Sequence, residues 1–230
     1  MRITTHETLG PVRISVRELG PWPDVQVGTT ISLMRDRAKA DSDNPEFKEW
    51  AVQVCGDDSV ADDVEKVGRA FDHVKSAMQF QRDETTAAQL AGVDASDVVE
   101  VVIRPLDIKR YVEQGKAIGD CDDFSGYLAA LLEAVGVPCS FCTVAADGNA
   151  PYQFSHVYVV AYPEVDGVRV RVPLDASHGT QPGWEAEQVV SVSRKQEWSV
   201  SGALGWLLEA VGIAAVGLVI WKLAGEASKQ

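Results

Sequence analysis

Apolar residues recur at helical spacing in the segment after residue 121 and predict one long, largely buried helix. They lie three or four positions apart, so they share one face of a helix. Gly136 and Pro138 follow as stop signals, and the predicted helix therefore begins at Cys121 and ends near residue 135. The residues on the shared face are Leu128, Leu131, Leu132 and Val135.

Three later segments alternate between apolar and polar residues and predict strands. They cover 137–144, 155–161 and 168–174, and they are rich in β-branched residues. Asp166-Gly167 supplies a turn between the last two. The pattern predicts an α+β fold in which the helix beginning at Cys121 packs on an antiparallel sheet.

The N-terminal half is predicted to form a β arm followed by helices. Residues 1–30 contain short alternating runs, which predict a β arm or hairpin packed on something larger. Asn44 and Pro45 have the cap and first-turn chemistry of a helix start, and a further helix is expected over about 59–82, capped by Ser59. We therefore expect an arm over 1–30 and one main domain over 31–200.

The C-terminal segment, 201–230, is predicted to form an apolar helix. Within 202–224 only Glu209 and Lys222 carry charge, and Trp206 and Trp221 are spaced like anchors at a membrane interface. Glu209 shortens the uncharged run to about 12 residues, a length typical of buried helices. Three interpretations stay open: a membrane-spanning (transmembrane) or membrane-inserting segment, an oligomerisation helix within an assembly, and an ordinary core helix.

A thiol, an imidazole and a carboxylate occur in an order that suits nucleophilic catalysis. Cys121 stands at a predicted helix N-terminus, where the backbone N–H groups favour a thiolate. His156 lies on the second predicted strand as the base, and Asp175 ends the third as the acceptor that orients the imidazole. A single cysteine or histidine is usually structural, but the three together predict a catalytic triad.

The residues around the triad resemble a known superfamily. Gly119-Asp120-Cys121-Asp122-Asp123-Phe124, Ser155-His156-Val157-Tyr158 and Pro173-Leu174-Asp175 resemble the transglutaminase-like superfamily of papain-like cysteine enzymes over roughly residues 60 to 185. The segments 101–105, 113–116 and 181–184 are similar to transglutaminase-like proteins encoded among tailed-phage structural genes.

The resemblance implies a cysteine peptidase, amidase or transglutaminase that acts through a thioester. Cys121 would attack an amide carbonyl, His156 would transfer the proton and Asp175 would hold the tautomer. The oxyanion would be bound by the backbone N–H of Cys121, with Gln114 or Tyr111 as candidates for a second donor. A catalytically silent structural or assembly protein of a phage particle is the alternative, because fold does not fix function.

Charge and cysteine content restrict the partners. The formal net charge of −13 excludes a basic surface for nucleic acid. Cys139 and Cys142 lie on a predicted strand without a second pair, so we expect neither a metal site nor a cofactor. Met1 to Glu7 lack the apolar run of a secretory signal, which predicts synthesis in the cytoplasm and, with the phage resemblance, association with a virion. The expected partners are a peptide or amide substrate and other virion proteins or further copies of the chain. If the apolar segment engages a membrane, we expect it to insert into the host membrane through 202–224.

Overall fold

The computed structural model describes residues 2–6, 14–18, 23–83, 85–86 and 99–201. Within these ranges the chain forms a mixed α+β fold that includes five α-helices, a short 3-10 helix (Ala186–Gln188) and eleven strands. The helices are α1 (Pro23–Ser42), α2 (Pro45–Cys55), α3 (Asp63–Ala77), α4 (Pro105–Glu113) and α5 (Cys121–Ala134). The strands are β1 (Arg2–His6), β2 (Ile14–Glu18), β3 (Gln79–Phe80), β4 (Val99–Ile103), β5 (Ile118–Gly119), β6 (Cys139–Val144), β7 (His156–Ala161), β8 (Glu164–Val165), β9 (Val168–Arg169), β10 (Val172–Leu174) and β11 (Lys195–Ser199).

Four antiparallel strands form the main sheet in the order β10-β7-β6-β11. Helix α5 packs on β7 and β6, and α1, α2, α3 and α4 pack around α5. Twelve of the fourteen residues of α5 are buried, because the helix has the sheet on one side and other helices around the rest. The predicted α+β architecture, with the Cys121 helix on an antiparallel sheet, is confirmed.

The N-terminal strands belong to a second sheet with the order β2-β1-β4. Strand β1 pairs antiparallel with β2 and parallel with β4, so the hairpin shares its sheet with a strand of the predicted main domain. Helix α1 begins at Pro23, where proline suits the first helical turn. The domain boundary predicted at residue 30 therefore lies inside this helix.

Helix boundaries agree with the sequence at some positions and differ at others. Asn44 caps α2 as predicted, and its Oδ1 accepts from the N–H of Glu46 at 2.9 Å. The cap of α3 is Asp62, not Ser59, because Asp62 and Glu65 form a reciprocal capping box. Ser59 instead donates to Asp57 in the preceding turn.

Three further differences concern the strands, an extra helix and the C-terminal segment. The alternating segment 168–174 is divided into β9 and β10, and 105–113 forms helix α4, which the sequence analysis did not predict. No helix in the described ranges is long and apolar enough to cross a membrane. The apolar helix predicted over 201–230, including 202–224, lies outside the described residues from position 202 onward.

Candidate active site

Cys121 is the first residue of α5, and the preceding residue caps the helix. Asp120 Oδ1 accepts from the backbone N–H of Asp122 at 3.2 Å, and the Asp120 carbonyl accepts from Phe124 N at 3.0 Å. These bonds satisfy two first-turn N–H groups and fix the start of the helix. Cys121 is partly exposed, whereas Cys55, Cys139 and Cys142 are buried.

The histidine and the aspartate meet because their strands are neighbours. His156 begins β7 and Asp175 directly follows β10. Because these two strands pair antiparallel, both residues lie at the same end of the strand pair. His156 Nε2 and Asp175 Oδ2 are 2.7 Å apart. This contact occupies one ring nitrogen and leaves Nδ1 available to a nucleophile.

Asp175 is held by further donors that the sequence analysis did not identify. Its Oδ1 accepts from Ser177 Oγ at 2.8 Å and from the backbone N–H of His178 at 3.0 Å. Burial of Asp175 raises its pKa, but the hydrogen bonds and charge of His156, together with these donors, lower the pKa below its ordinary value. The carboxylate is therefore charged and fixed when it orients His156.

Cys121 and His156 line the same hollow in the surface. It consists of two adjoining cavities, of about 330 Å³ and about 730 Å³, which share Cys121, His156, Glu100, Asp120 and Ser155. The smaller cavity extends along α1, and Asp175 lines the larger. The structure thus brings the three predicted triad residues together around one opening.

The free thiol is not activated by its surroundings alone. Burial and the charge of Asp120 raise the pKa of Cys121 well above its ordinary value, although a hydrogen bond from the backbone N–H of Val157 lowers it. The thiol is therefore protonated at neutral pH unless a base removes the proton. His156, in the same cavity, is the base that the arrangement offers.

Neither predicted second oxyanion donor lies at the opening. Gln114 is exposed at the C-terminal end of α4, and Tyr111 packs against the hydrophobic core; neither lines the two cavities. Instead, Thr30 of α1 lines the smaller cavity with Cys121, and its buried hydroxyl finds no hydrogen-bond partner among the described residues. A polar group of a bound substrate can satisfy that hydroxyl.

His178 is a second imidazole at the opening. Its ring lies 4.8 Å from that of His156 and 5.2 Å from that of Phe80, centroid to centroid, and Ser177 Oγ is 2.8 Å from its Nδ1. Burial and the neighbouring His156 lower the pKa of His178. The second ring is therefore neutral at physiological pH and limits the space around His156.

A group of buried carboxylates lies directly beside the nucleophile. Asp83, Asp120, Asp122 and Asp123 each place an oxygen within 4.8 Å of the others. Burial and mutual repulsion raise the pKa of Asp83 to about 11 and shift those of Asp122 and Asp123 well upward. This all-oxygen set has the chemistry that hard divalent cations such as Ca²⁺ or Mg²⁺ prefer. The sequence analysis did not single it out.

The comparisons with known proteins add no family assignment. No family model matches the chain, and no curated protein matches it. Among solved structures, it is similar to a provisionally assigned protease from Parabacteroides distasonis, with 18% identity over 81% of this chain and 31% of that one and a TM-score of 0.44. A provisionally assigned cysteine protease from Cytophaga hutchinsonii is 14% identical over 67% of this chain and 50% of that one, with a TM-score of 0.37.

A third solved structure is of comparable length. Legionella pneumophila LapG, in an EGTA-treated form, is 14% identical over 84% of this chain and 97% of that one, with a TM-score of 0.40. By contrast, the present chain covers only 31% of the Parabacteroides protein and 50% of the Cytophaga protein.

Proposed function

We propose that the protein is a cysteine peptidase or amidase that acts through a thioester on Cys121. The observation that carries the proposal is the 2.7 Å contact between His156 Nε2 and Asp175 Oδ2 at the cavity that Cys121 also lines. It fixes the imidazole by one nitrogen and leaves the other for proton transfer.

The proton transfers of the proposed reaction involve the triad and water. Cys121 Sγ attacks the amide carbonyl while its proton passes to His156 Nδ1, so a thiol whose pKa is raised at rest can still react. His156 then protonates the leaving amine as the C–N bond breaks. Water, deprotonated by His156, attacks the thioester, and the acid and the free thiol are released. An amine in place of water would give transfer.

The oxyanion of each tetrahedral intermediate is assigned to the N-terminus of α5. The backbone N–H of Cys121 lies in the first turn, where helical N–H groups have no partner within the helix. Thr30, with its unpartnered hydroxyl in the same cavity, is the side chain that we favour as a second donor over Gln114.

Alkylation of the thiols by iodoacetamide, followed by mass spectrometry, tests the proposal. Cys121 should react faster than the three buried cysteines, and His156→Ala should remove most of that advantage. His178→Ala is the matched control, because it removes an imidazole from the same cavity and leaves both partners of the His156–Asp175 hydrogen bond in place. Equal labelling of Cys121 in all three proteins would contradict the proposal.

A catalytically silent structural protein is the second candidate, and the carboxylates of Asp120 and Asp122 on either side of Cys121 favour it, because negative charge opposes the formation of a thiolate. The two candidates differ in the pH dependence of alkylation. A cysteine coupled to His156 gives a plateau that extends below pH ~8, whereas an isolated thiol gives a single rise at alkaline pH.

For either candidate, we propose that the protein is a component of a tailed-phage particle. Its partners would be other virion proteins or further copies of the chain. This part rests on the resemblance of segments 101–105, 113–116 and 181–184. Immunogold labelling of purified particles tests it. Absence of the protein from the particles would refute the setting without affecting the chemistry.

A further inference from the structure

Carboxylates dominate the charge of the larger cavity. Arg82 is the one Lys or Arg side chain among the described residues that line it. The acidic side chains, apart from the triad aspartate, come from four separate segments: Asp83 from the segment shortly after β3, Glu100 from β4, Asp120 from the α5 cap and Asp147 from the loop after β6. We call Asp83, Glu100 and Asp120 the acidic wall.

Two members of the acidic wall are fixed by the backbone. Asp83 Oδ2 accepts from the N–H of Val101, and Asp120 Oδ1 accepts from that of Asp122. Asp83 is only 5% exposed, and its Oδ1 has no partner among the described residues. A buried carboxylate oxygen without a partner is costly, so a donor arriving from the cavity would be bound strongly.

The acidic wall suits a cationic occupant. Asp83, Glu100 and Asp120 reach the cavity from three separate segments, and the unpartnered Oδ1 of Asp83 offers a further acceptor there. An ammonium or guanidinium group placed among these oxygens would donate several hydrogen bonds to them. Lysine and arginine side chains of a polypeptide are long enough to carry such a group inward while their backbone stays at the opening.

A second set of lining residues is apolar and exposed. Val189 is 67%, Val190 is 41% and Phe80 is 46% exposed, and all three line the larger cavity beside Trp184 and Ala186. We call these five residues the apolar wall. Exposed apolar surface that adjoins a polar cavity is typical of a site where a partner's side chain packs.

We propose that the cavity selects polypeptide segments that present a lysine or arginine to the acidic wall and an apolar side chain to the apolar wall, within a few residues of the carbonyl that Cys121 attacks. This specificity rests on the proposed function, because it assumes that Cys121 marks the position of the substrate carbonyl. It names a basic and apolar peptide as the substrate class.

Peptide binding to the Cys121→Ala variant tests the specificity separately from catalysis. Four fluorescein-labelled ten-residue peptides are compared by fluorescence anisotropy in EDTA. They differ only at two positions, which hold Lys and Leu in the first peptide, Gln and Leu in the second, Glu and Leu in the third, and Lys and Ser in the fourth. The Lys–Leu peptide should bind about tenfold more tightly than the Gln–Leu peptide, as expected for one charge-assisted contact. The Glu–Leu peptide should bind weakest, and Lys–Ser more weakly than Lys–Leu.

Matched variants in the same Cys121→Ala background locate the two preferences. Glu100→Gln should reduce the preference for lysine, and Val189→Ser the preference for leucine, whereas Glu164→Gln, which makes the same chemical change outside the cavity, should alter neither. Because no thioester forms in this background, a failure of catalysis does not affect the result.

Two outcomes would overturn the proposal. The first is equal binding, or no binding, of the four peptides up to millimolar concentration. The second is loss of the lysine preference when EDTA is replaced by Ca²⁺ or Mg²⁺, which would assign the carboxylates to a metal ion and not to the substrate.

Discussion

Ser125 Oγ donates a hydrogen bond to the carbonyl oxygen of Val157 at 3.2 Å, inside the core. Ser125 lies in the second turn of the helix that begins with Cys121, and Val157 follows His156 on β7. The bond therefore ties the element that carries the nucleophile to the element that carries the base. It sets their separation independently of any contact between the two reactive side chains.

Removal of this hydroxyl should weaken both the fold and the pairing of Cys121 with His156. Ser125→Ala leaves the Val157 carbonyl without this buried partner, so we expect a loss of about 1–2 kcal/mol in the free energy of unfolding. Urea unfolding measures that loss, and iodoacetamide labelling of Cys121 should slow in the folded protein.

Ser76→Ala serves as the control for this change. Ser76 Oγ also donates to a backbone carbonyl, that of Asp72 at 2.7 Å, but on an exposed face of α3. It should cost less than about 0.5 kcal/mol, as is usual for surface positions. Equal losses in the two variants would mean that the Ser125 bond has no special role.

Asp175→Asn should uncouple His156 from the thiol with little change in the shape of the site. The amide keeps the volume of the carboxylate but loses the charge that stabilises the imidazolium. We expect Cys121 labelling near neutral pH to fall at least severalfold, while Asp147→Asn, at the rim of the same cavity, leaves the rate unchanged. Unaltered labelling in Asp175→Asn would show that the aspartate does not orient the base.

Asp175 should also make the folded protein less stable as the pH falls. The pKa of Asp175 is lowered in the folded protein, so its contribution is present above the unfolded pKa of about 4 and is lost as the pH falls through the folded value. The loss of stability between pH ~5 and ~2 should therefore be smaller in Asp175→Asn than in the wild type. Urea midpoints across this range measure it.

The sequence allowed the prediction of features that depend on local order along the chain. Cys121 begins its helix as predicted because Asp120, immediately before it, has cap chemistry, and Asn44 with Pro45 starts α2 for the same reason. The placement of His156 and Asp175 on neighbouring strands follows from the short connection between them. Short-range periodicity is enough for such predictions.

Features that depend on distant segments were not predictable in this way. Helix α4, which was not predicted, is anchored by Asp41, whose carboxylate accepts from the Leu106 N–H at 3.0 Å and binds Arg104. The carboxylate group beside Cys121 includes Asp83, which is almost 40 positions upstream. No periodic pattern links such residues, because the fold alone brings them together.

Asp122→Asn should stabilise the protein at neutral and alkaline pH. The pKa of Asp122 is raised well above its ordinary value, by burial first and then by Asp120 and Asp123. A raised folded pKa means that stability is greatest below the unfolded pKa of about 4 and falls as the pH rises toward the folded value. In EDTA, the free energy of unfolding of the variant should exceed that of the wild type by about 1–3 kcal/mol at pH ~8, and it should depend less steeply on pH.

Glu49→Gln is the control for that measurement. Glu49 is an exposed residue of α2 outside the buried carboxylate group, so its replacement should change the free energy of unfolding by less than about 0.5 kcal/mol at pH ~8. If the free energy of unfolding depends on pH in the same way in the wild type and in Asp122→Asn, the buried carboxylates do not repel one another and the prediction is wrong.

Gly119 and Gly126 should respond in opposite ways to substitution by alanine. A Cβ at Gly119 would lie 2.5 Å from Asp123 Cβ and 2.6 Å from its Oδ2, so Gly119→Ala must displace the buried carboxylate that accepts from the Ile103 N–H. We expect a loss of about 1–3 kcal/mol, as for other overpacked core sites. Apart from its chain neighbours and the backbone of its own helix, no described atom lies within 4 Å of a Cβ at Gly126, so Gly126→Ala should gain up to about 1 kcal/mol from helix propensity alone. Urea unfolding compares the two variants, and a stable Gly119→Ala protein with unchanged Cys121 labelling would contradict the role of Gly119 in positioning the residues beside the nucleophile.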